Sequence, residues 1–233
     1  MALNILITGT RKGLGKSLVE YYLSMGHTVI GCSRQEGTIE HPNYQHHLVD
    51  VTDESAVIKM VRAVRKEHGH IDVLINNAGM AAMNHLLTTP LDSAKKVMST
   101  NVFGTFLFTR EVAKLMMKKK SGTIVNYSTV AVPLDLEGEA IYAASKAAVE
   151  SLTRISAKEL SPYGIRVNAV GPTPTPTDLI KTIPKAKINE LIESQSIKRL
   201  GKDEDVFNVV DFFISPKSNF ITGQVVYLGG VFK

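Results

Sequence analysis

The stretch "ITGTRKGLGKSLVEYYL", Ile7 to Leu23, decides the fold. Its first residues continue the apolar run "NILIT", which reads as a buried strand. Its last residues carry helical periodicity. Between them lie Gly9, Gly13 and Gly15, with Thr10, Arg11, Lys12 and Leu14 among them. Glycines at a strand-to-helix turn let backbone N–H groups approach an anion, and the start of the helix adds its positive end. A glycine trio alone is a weak signal, and the strand-turn-helix context strengthens it.

Outward from this turn, short β-branched runs alternate with longer helical patterns. The strands are expected at Leu3–Thr8, Thr28–Cys32, Gln45–Val49, Val73–Ile75, Thr123–Tyr127, Arg166–Val170 and Gln224–Leu228. Helical stretches are expected near Gly15–Met25, Glu54–His68, Ser93–Lys119, Ile141–Leu160 and Glu204–Ile214. Alternation of this kind implies a doubly wound α/β fold, with a mostly parallel seven-stranded sheet and helices on both faces. The segment "GPTPTPTDLIKTIPKAK" breaks the pattern with Pro172, Pro174, Pro176 and Pro184. It begins where a strand ends, at the sheet edge where such folds bind ligands, and is expected to form a substrate loop over about 173–200, with a short helix at Lys187–Ser194.

Composition narrows the classes. The chain has 233 residues, of which 44% are hydrophobic and 21% charged, as in an ordinary soluble domain. No apolar run approaches the ~20 residues of a membrane span, and no signal peptide is expected at "MALNILITGT". The single cysteine, Cys32, excludes an internal disulfide and points to a reducing, cytoplasmic setting. No Cys/His cluster has metal-site spacing, so no metal is expected; His46 and His47 read as strand-flanking. The net charge of +5 admits nucleic acid, an acidic protein or an anionic ligand as partner. The densest basic run, Lys118-Lys119-Lys120, reads as a helix C-terminus, and no aromatics are interleaved with basic residues, which speaks against nucleic acid.

A second stretch, "AIYAASKAAVE", places Tyr142 and Lys146 four apart on one helix face. Taken alone the pair could be packing, surface or chemistry. Four further motifs give it a context. Thr8 to Gly15 has the form Thr-Gly-x-x-x-Gly-x-Gly, "NNAG" spans Asn76 to Gly79, and "IRVNAV" and "ITGQVVYLGG" follow in order. Together with Tyr-x-x-x-Lys, these resemble the short-chain dehydrogenase/reductase family along essentially the whole chain. Within it the overall look is similar to bacterial β-ketoacyl-acyl-carrier-protein reductases.

That resemblance implies a single dinucleotide-binding Rossmann domain over residues 1–233. It implies a tyrosine acid/base in Tyr142, and a lysine, Lys146, that tunes the tyrosine and bonds the nicotinamide ribose. A nearby ammonium would lower the phenol pKa from its usual value. The family's carbonyl-polarising serine would fall at position 129, which holds Thr129, with Ser128 adjacent. Thr129 keeps the hydroxyl, while a loop one residue longer would put Ser128 in the role. Asn101 matches the family's helix asparagine, which supports a proton relay. The cofactor would be bordered by Gly9, Arg11, Lys12, Gly13, Leu14, Gly15, Asp50, Val51, Asn77, Ala78, Gly79, Pro172, Thr173 and Thr177. Thr173 stands where the family usually has glycine.

NAD-preferring relatives of this fold carry an acid about 20 residues past the glycines. Here Ser33 and Arg34 occupy that place. A hydroxyl and a guanidinium would hold a 2′-phosphate that a carboxylate would repel, so NADP(H) is expected. The implied reaction joins a ketone and a secondary alcohol. The substrate could be carried on an acyl carrier protein, whose acidity suits the positive charge, or be a sugar, cyclic or small ketone. A non-catalytic NADPH-binding regulator is the reading from another class. Apolar positions on several sides of the two long helices suggest a homo-oligomer, a dimer or tetramer.

Overall fold

The computed structural model describes residues 2–175 and 185–231. Seven strands form one sheet: β1 (Asn4–Thr8), β2 (Thr28–Ser33), β3 (Tyr44–Leu48), β4 (Val73–Asn76), β5 (Gly122–Tyr127), β6 (Ile165–Gly171) and β7 (Val225–Tyr227). Their order is β3-β2-β1-β4-β5-β6-β7, and all six pairings are parallel. The order reverses direction at β1 and β4, so their carboxyl ends open the crevice where this fold binds ligands.

The alternation of side chains along a strand splits the core in two. Ile5 and Ile7 of β1 face one layer, with Leu18, Val19 and Tyr22 of α1 (Gly13–Ser24) and Val206, Phe207, Val210 and Phe213 of α8 (Asp203–Ile214). Leu6 faces the other, with Val57, Val61 and Val64 of α2 (Glu54–His68) and Phe108, Val112 and Met116 of α4 (Gly104–Lys119). Each large side chain so buried contributes about 1.5–3 kcal/mol. That is why strands covered on both faces read as continuous apolar runs.

Local signals set the ends of α2. The Asp53 carboxylate accepts from Ala56 N at 3.0 Å, and Gly69 closes the helix with φ of 76°. The stretch expected as one helix over Ser93–Lys119 is interrupted instead. It comprises α3 (Leu91–Met98), a π-helical turn (Ser99–Phe103) and α4. The basic run ends α4, and Lys119 Nζ reaches Asp72 at 2.6 Å. A short α5 (Ala131–Leu134) follows β5, then the long α6 (Ala140–Leu160), and α7 (Lys185–Ser194) begins two residues earlier than expected. Among the described residues, no helix is long and apolar enough to cross a membrane.

Candidate active site

The glycine loop is locked to the strand beside it. Asn77 Nδ2 donates to the carbonyls of Thr8 at 2.9 Å and Gly9 at 3.3 Å, and Ala78 N donates to Thr8 Oγ1 at 2.9 Å. A Cβ on Gly15 would lie 2.2 Å from the Gly9 carbonyl oxygen, so no larger residue lets α1 start this close to the turn. The first turn of α1 has no side-chain cap from Lys12, its N-cap residue, so backbone N–H groups remain to meet an anion.

From this turn one cavity of about 1150 Å³ runs across the carboxyl ends of the strands. Its walls carry Gly9, Arg11 to Gly15, Ser33, Arg34, Asp50, Val51, Asn77 to Gly79, Ser128, Thr129, Tyr142, Lys146, Pro172 and Thr173. Thr177 lies outside the described residues, as do Pro176 and Pro184 of the proline-rich loop. The hydroxyl of Thr173 is buried without a hydrogen-bond partner. An orphaned donor on the wall, a bare helix start and a volume above that of ordinary small-molecule pockets fit an extended dinucleotide with room for a substrate.

Tyr142 and Lys146 both project from the first turns of α6 into this cavity. Lys146 is buried, and its Nζ donates to the Tyr127 carbonyl at 2.9 Å. Desolvation pushes its pKa down to about 8. Burial pushes the Tyr142 phenol up to about 12, a hydrogen bond with Thr129 opposes this, and the Glu139 charge adds to the rise. The expected lowering of Tyr142 by the lysine is therefore not what this cofactor-free pocket shows. Lys146 is itself desolvated and turned to a carbonyl, so burial of the ring dominates.

The two candidate hydroxyls part company at the end of β5. Thr129 accepts from Ala131 N at 3.3 Å, and its hydroxyl is the one that draws the Tyr142 phenol down. Ser128 donates to the carboxylate of Glu150 at 2.5 Å, and the Tyr227 hydroxyl donates to the same oxygen at 2.6 Å. Glu150 is only 1% exposed. It sits four residues after Lys146, on the same face of α6, so the spacing that marked the tyrosine and lysine also pointed to it. Its partners lie too far along the chain for spacing to find.

Asn101 sits in the π-helical turn, fully buried. Its Nδ2 donates to the Met80 carbonyl and to Ser145 Oγ, both at 2.9 Å, and its Oδ1 accepts from Met80 N at 2.9 Å. The side chain thus anchors the segment after Gly79. Asn101 and Lys146 approach each other across that glycine: a Cβ there would stand 3.3 Å from Asn101 Oδ1 and 3.4 Å from Lys146 Nζ. Extra residues in a helix commonly occur at functional sites, and here the turn brings an amide against the segment after Gly79.

At the end of the cavity beside β2, Ser33 Oγ donates to the Gln35 carbonyl at 2.5 Å. Asp50 Oδ1 accepts from Thr52 N at 2.9 Å and from Thr52 Oγ1 at 2.8 Å, which fixes the carboxylate beside Val51. At the other end, Met80, Met83, Leu134, Leu136, Ile188 and Leu191 give apolar walls, and Glu139 and Lys187 add charged groups to them. Burial pushes the Glu139 carboxyl up, and the Lys187 charge pulls it back. Glu139 and Lys187 are additions to the residues expected from sequence motifs.

A family model described as "Enoyl-(Acyl carrier protein) reductase" matches residues 9–231. The 3-oxoacyl-[acyl-carrier-protein] reductase FabG of Thermotoga maritima is 32% identical, over 97% of this chain and 95% of that protein. The solved structure of ElxO with NADP bound superposes with a TM-score of 0.90 at 31% identity, over 98% of this chain and 97% of that one. A 3-ketoacyl-(acyl-carrier-protein) reductase from Brucella melitensis complexed with NADH gives a TM-score of 0.90 at 26% identity, over 97% of this chain and 96% of that one.

Proposed function

The chain belongs to the short-chain dehydrogenase/reductase family of oxidoreductases, and on that premise we propose that it interconverts a ketone and a secondary alcohol with NADP(H). The observation that carries this reading is the gathering of Thr129, Tyr142 and a buried Lys146 on the wall of one cavity that also takes in the glycine loop. The nicotinamide supplies the hydride. The chain's own residues handle the oxygen. Thr129 donates a hydrogen bond to the carbonyl, and Tyr142, held protonated by burial, gives the proton that makes the alcohol. Lys146 would bond the ribose hydroxyls, and Asn101 anchors the segment after Gly79 beside it.

The glycine loop, the start of α1, Asp50, Val51 and Asn77 to Gly79 would hold the dinucleotide, with Pro172 and Thr173 at the nicotinamide end. Ser33 and Arg34, with Arg11 and Lys12, select the 2′-phosphate, because the position that would favour NAD has no carboxylate. The substrate class we favour is a 3-oxoacyl group on an acyl carrier protein. Relatives of that description support it, as does the net charge of +5. The half-buried Glu139 beside Tyr142 favours a second reading, a carbonyl substrate with hydroxyl or amino groups. The protein works as a homo-oligomer in a reducing, cytoplasmic setting, consistent with its single buried thiol.

A panel of β-ketoacyl thioesters, cyclic ketones and keto-sugars, each with NADPH and with NADH, tests the proposal. NADPH should bind at least about tenfold tighter than NADH, or about 1.4 kcal/mol. Turnover of none of these carbonyls would return the protein to the non-catalytic reading.

A further inference from the structure

An imidazole supports the turn that follows β2. His46 lies within β3, beside Gly31 of β2, and is half-buried. Its Nε2 is 3.1 Å from Ser33 Oγ and 3.1 Å from the Gln35 carbonyl. Its Nδ1 is 2.8 Å from the Tyr44 hydroxyl and 3.4 Å from Thr10 Oγ1. Tyr44 donates to Thr10 at 3.0 Å, and Thr10 donates to the Cys32 carbonyl at 3.5 Å. Gly31 makes the space: a Cβ there would be 2.4 Å from the Tyr44 oxygen and 2.5 Å from Thr10 Oγ1. One ring thus bridges the glycine loop and the Ser33–Gln35 turn, the two segments that carry Arg11 and Arg34.

A proton inventory gives this bridge a purpose. A carbonyl only accepts, so the bond to Gln35 places a proton on Nε2. Ser33 and His46 both donate to that carbonyl, which has two lone pairs. When Ser33 turns its single O–H toward an anionic ligand, the imidazole still satisfies Gln35. On the other side, the bonds from Nδ1 to Tyr44, Thr10 and the Cys32 carbonyl run in one direction. Every one has its own donor when the ring carries both protons. A neutral ring fits as well, with the Tyr44 proton turned onto Nδ1. The surroundings therefore accept either charge state.

We propose that His46 is a positioning and specificity residue for the 2′-phosphate end of the cofactor. It frees the Ser33 hydroxyl to bind the phosphate. The inference rests on the NADP(H) reading above.

The test measures dissociation constants for NADPH, NADH and adenosine 2′,5′-bisphosphate. The proteins are the wild type, His46→Ala and His46→Gln. His46→Ala is expected to weaken NADPH and the bisphosphate by about fivefold or more, and NADH by less than about twofold. His46→Gln, whose amide can still donate to Gln35, should recover most of that affinity. Equal weakening of NADPH and NADH in His46→Ala would overturn the proposal, as would a His46→Gln protein that binds NADPH no better than His46→Ala. Equal binding of NADPH and NADH by the wild type would sink the cofactor reading itself, a failure visible before any variant is made.

Discussion

Ser128 and Glu150 form a buried hydrogen bond of 2.5 Å that holds the Ser128 hydroxyl on the carboxylate, while the neighbouring Thr129 is the hydroxyl that draws the Tyr142 phenol down. Thr129→Val keeps the shape and deletes the donor. It should lower kcat by about 10²–10³-fold with cofactor affinity kept. Ser128→Ala should lower kcat by less than about tenfold but cost about 1–3 kcal/mol of stability, because a buried carboxylate loses a donor. Steady-state kinetics beside thermal denaturation separate the two effects. The opposite order of kcat losses would assign the catalytic hydroxyl to Ser128.

Tyr142→Phe removes only the phenolic oxygen. Turnover should fall by about 10²–10⁴-fold while NADPH still binds. In the cofactor-free protein the phenol stands at about 12. It should therefore remain protonated through the neutral range and well above it. A difference ultraviolet titration of wild type against Tyr142→Phe reads this directly. A phenolate signal from Tyr142 near neutral pH, without cofactor, would contradict it.

Lys146 burdens the unliganded fold. Its pKa is about 8 in the folded protein against an ordinary 10.5. Below about pH 8 the lysine is protonated in both states, and the full cost of burying the charge opposes folding. Between about 8 and 10.5 only the unfolded chain keeps the proton, so the cost shrinks as pH rises. Lys146→Met should therefore raise the Tm of the cofactor-free protein by a few degrees at neutral pH, with the gain fading through that window. It should also abolish turnover. A gain that did not depend on pH would point to packing instead of charge.

The exposed apolar side chains Phe103, Phe106 and Ile155 on the π-helical turn, α4 and α6 ask for a cover. Light scattering at micromolar concentration should give a mass near four copies of the 25.5 kDa chain. Ile155→Glu should shift it toward smaller species. A wild-type monomer under those conditions would refute the oligomer.

Legibility in the sequence followed the range of each interaction. The bounds of α2 were readable to the residue because Asp53, Ala56 and Gly69 are local. The π-helical turn was not, since an extra residue in a helix leaves no mark on the spacing of apolar side chains around it. Tyr142, Lys146 and the glycines were legible through motif and context. Glu150 shares the spacing of Tyr142 and Lys146 but drew no role from it, because its Tyr227 partner lies on the last strand. His46 looked strand-flanking for the same reason: the chain that gives it meaning joins Thr10, Ser33, Gln35 and Tyr44. The register of Thr129 against Ser128 needed the direction of two side chains at a strand end.

The strand order has a consequence for how the protein is made. β2 adds to one edge of β1 and β3 to β2; β4 then adds to the free edge of β1, and β5, β6 and β7 each extend the edge just formed. No strand ever has to be inserted between two that are already paired. A chain leaving the ribosome from its N-terminus can therefore grow this sheet in the order of synthesis, without undoing any earlier step. The backing of the active site closes last, when Tyr227 of β7 reaches Glu150. A nascent chain cut off before β7 would carry both Tyr142 and Lys146 and still lack the brace behind them.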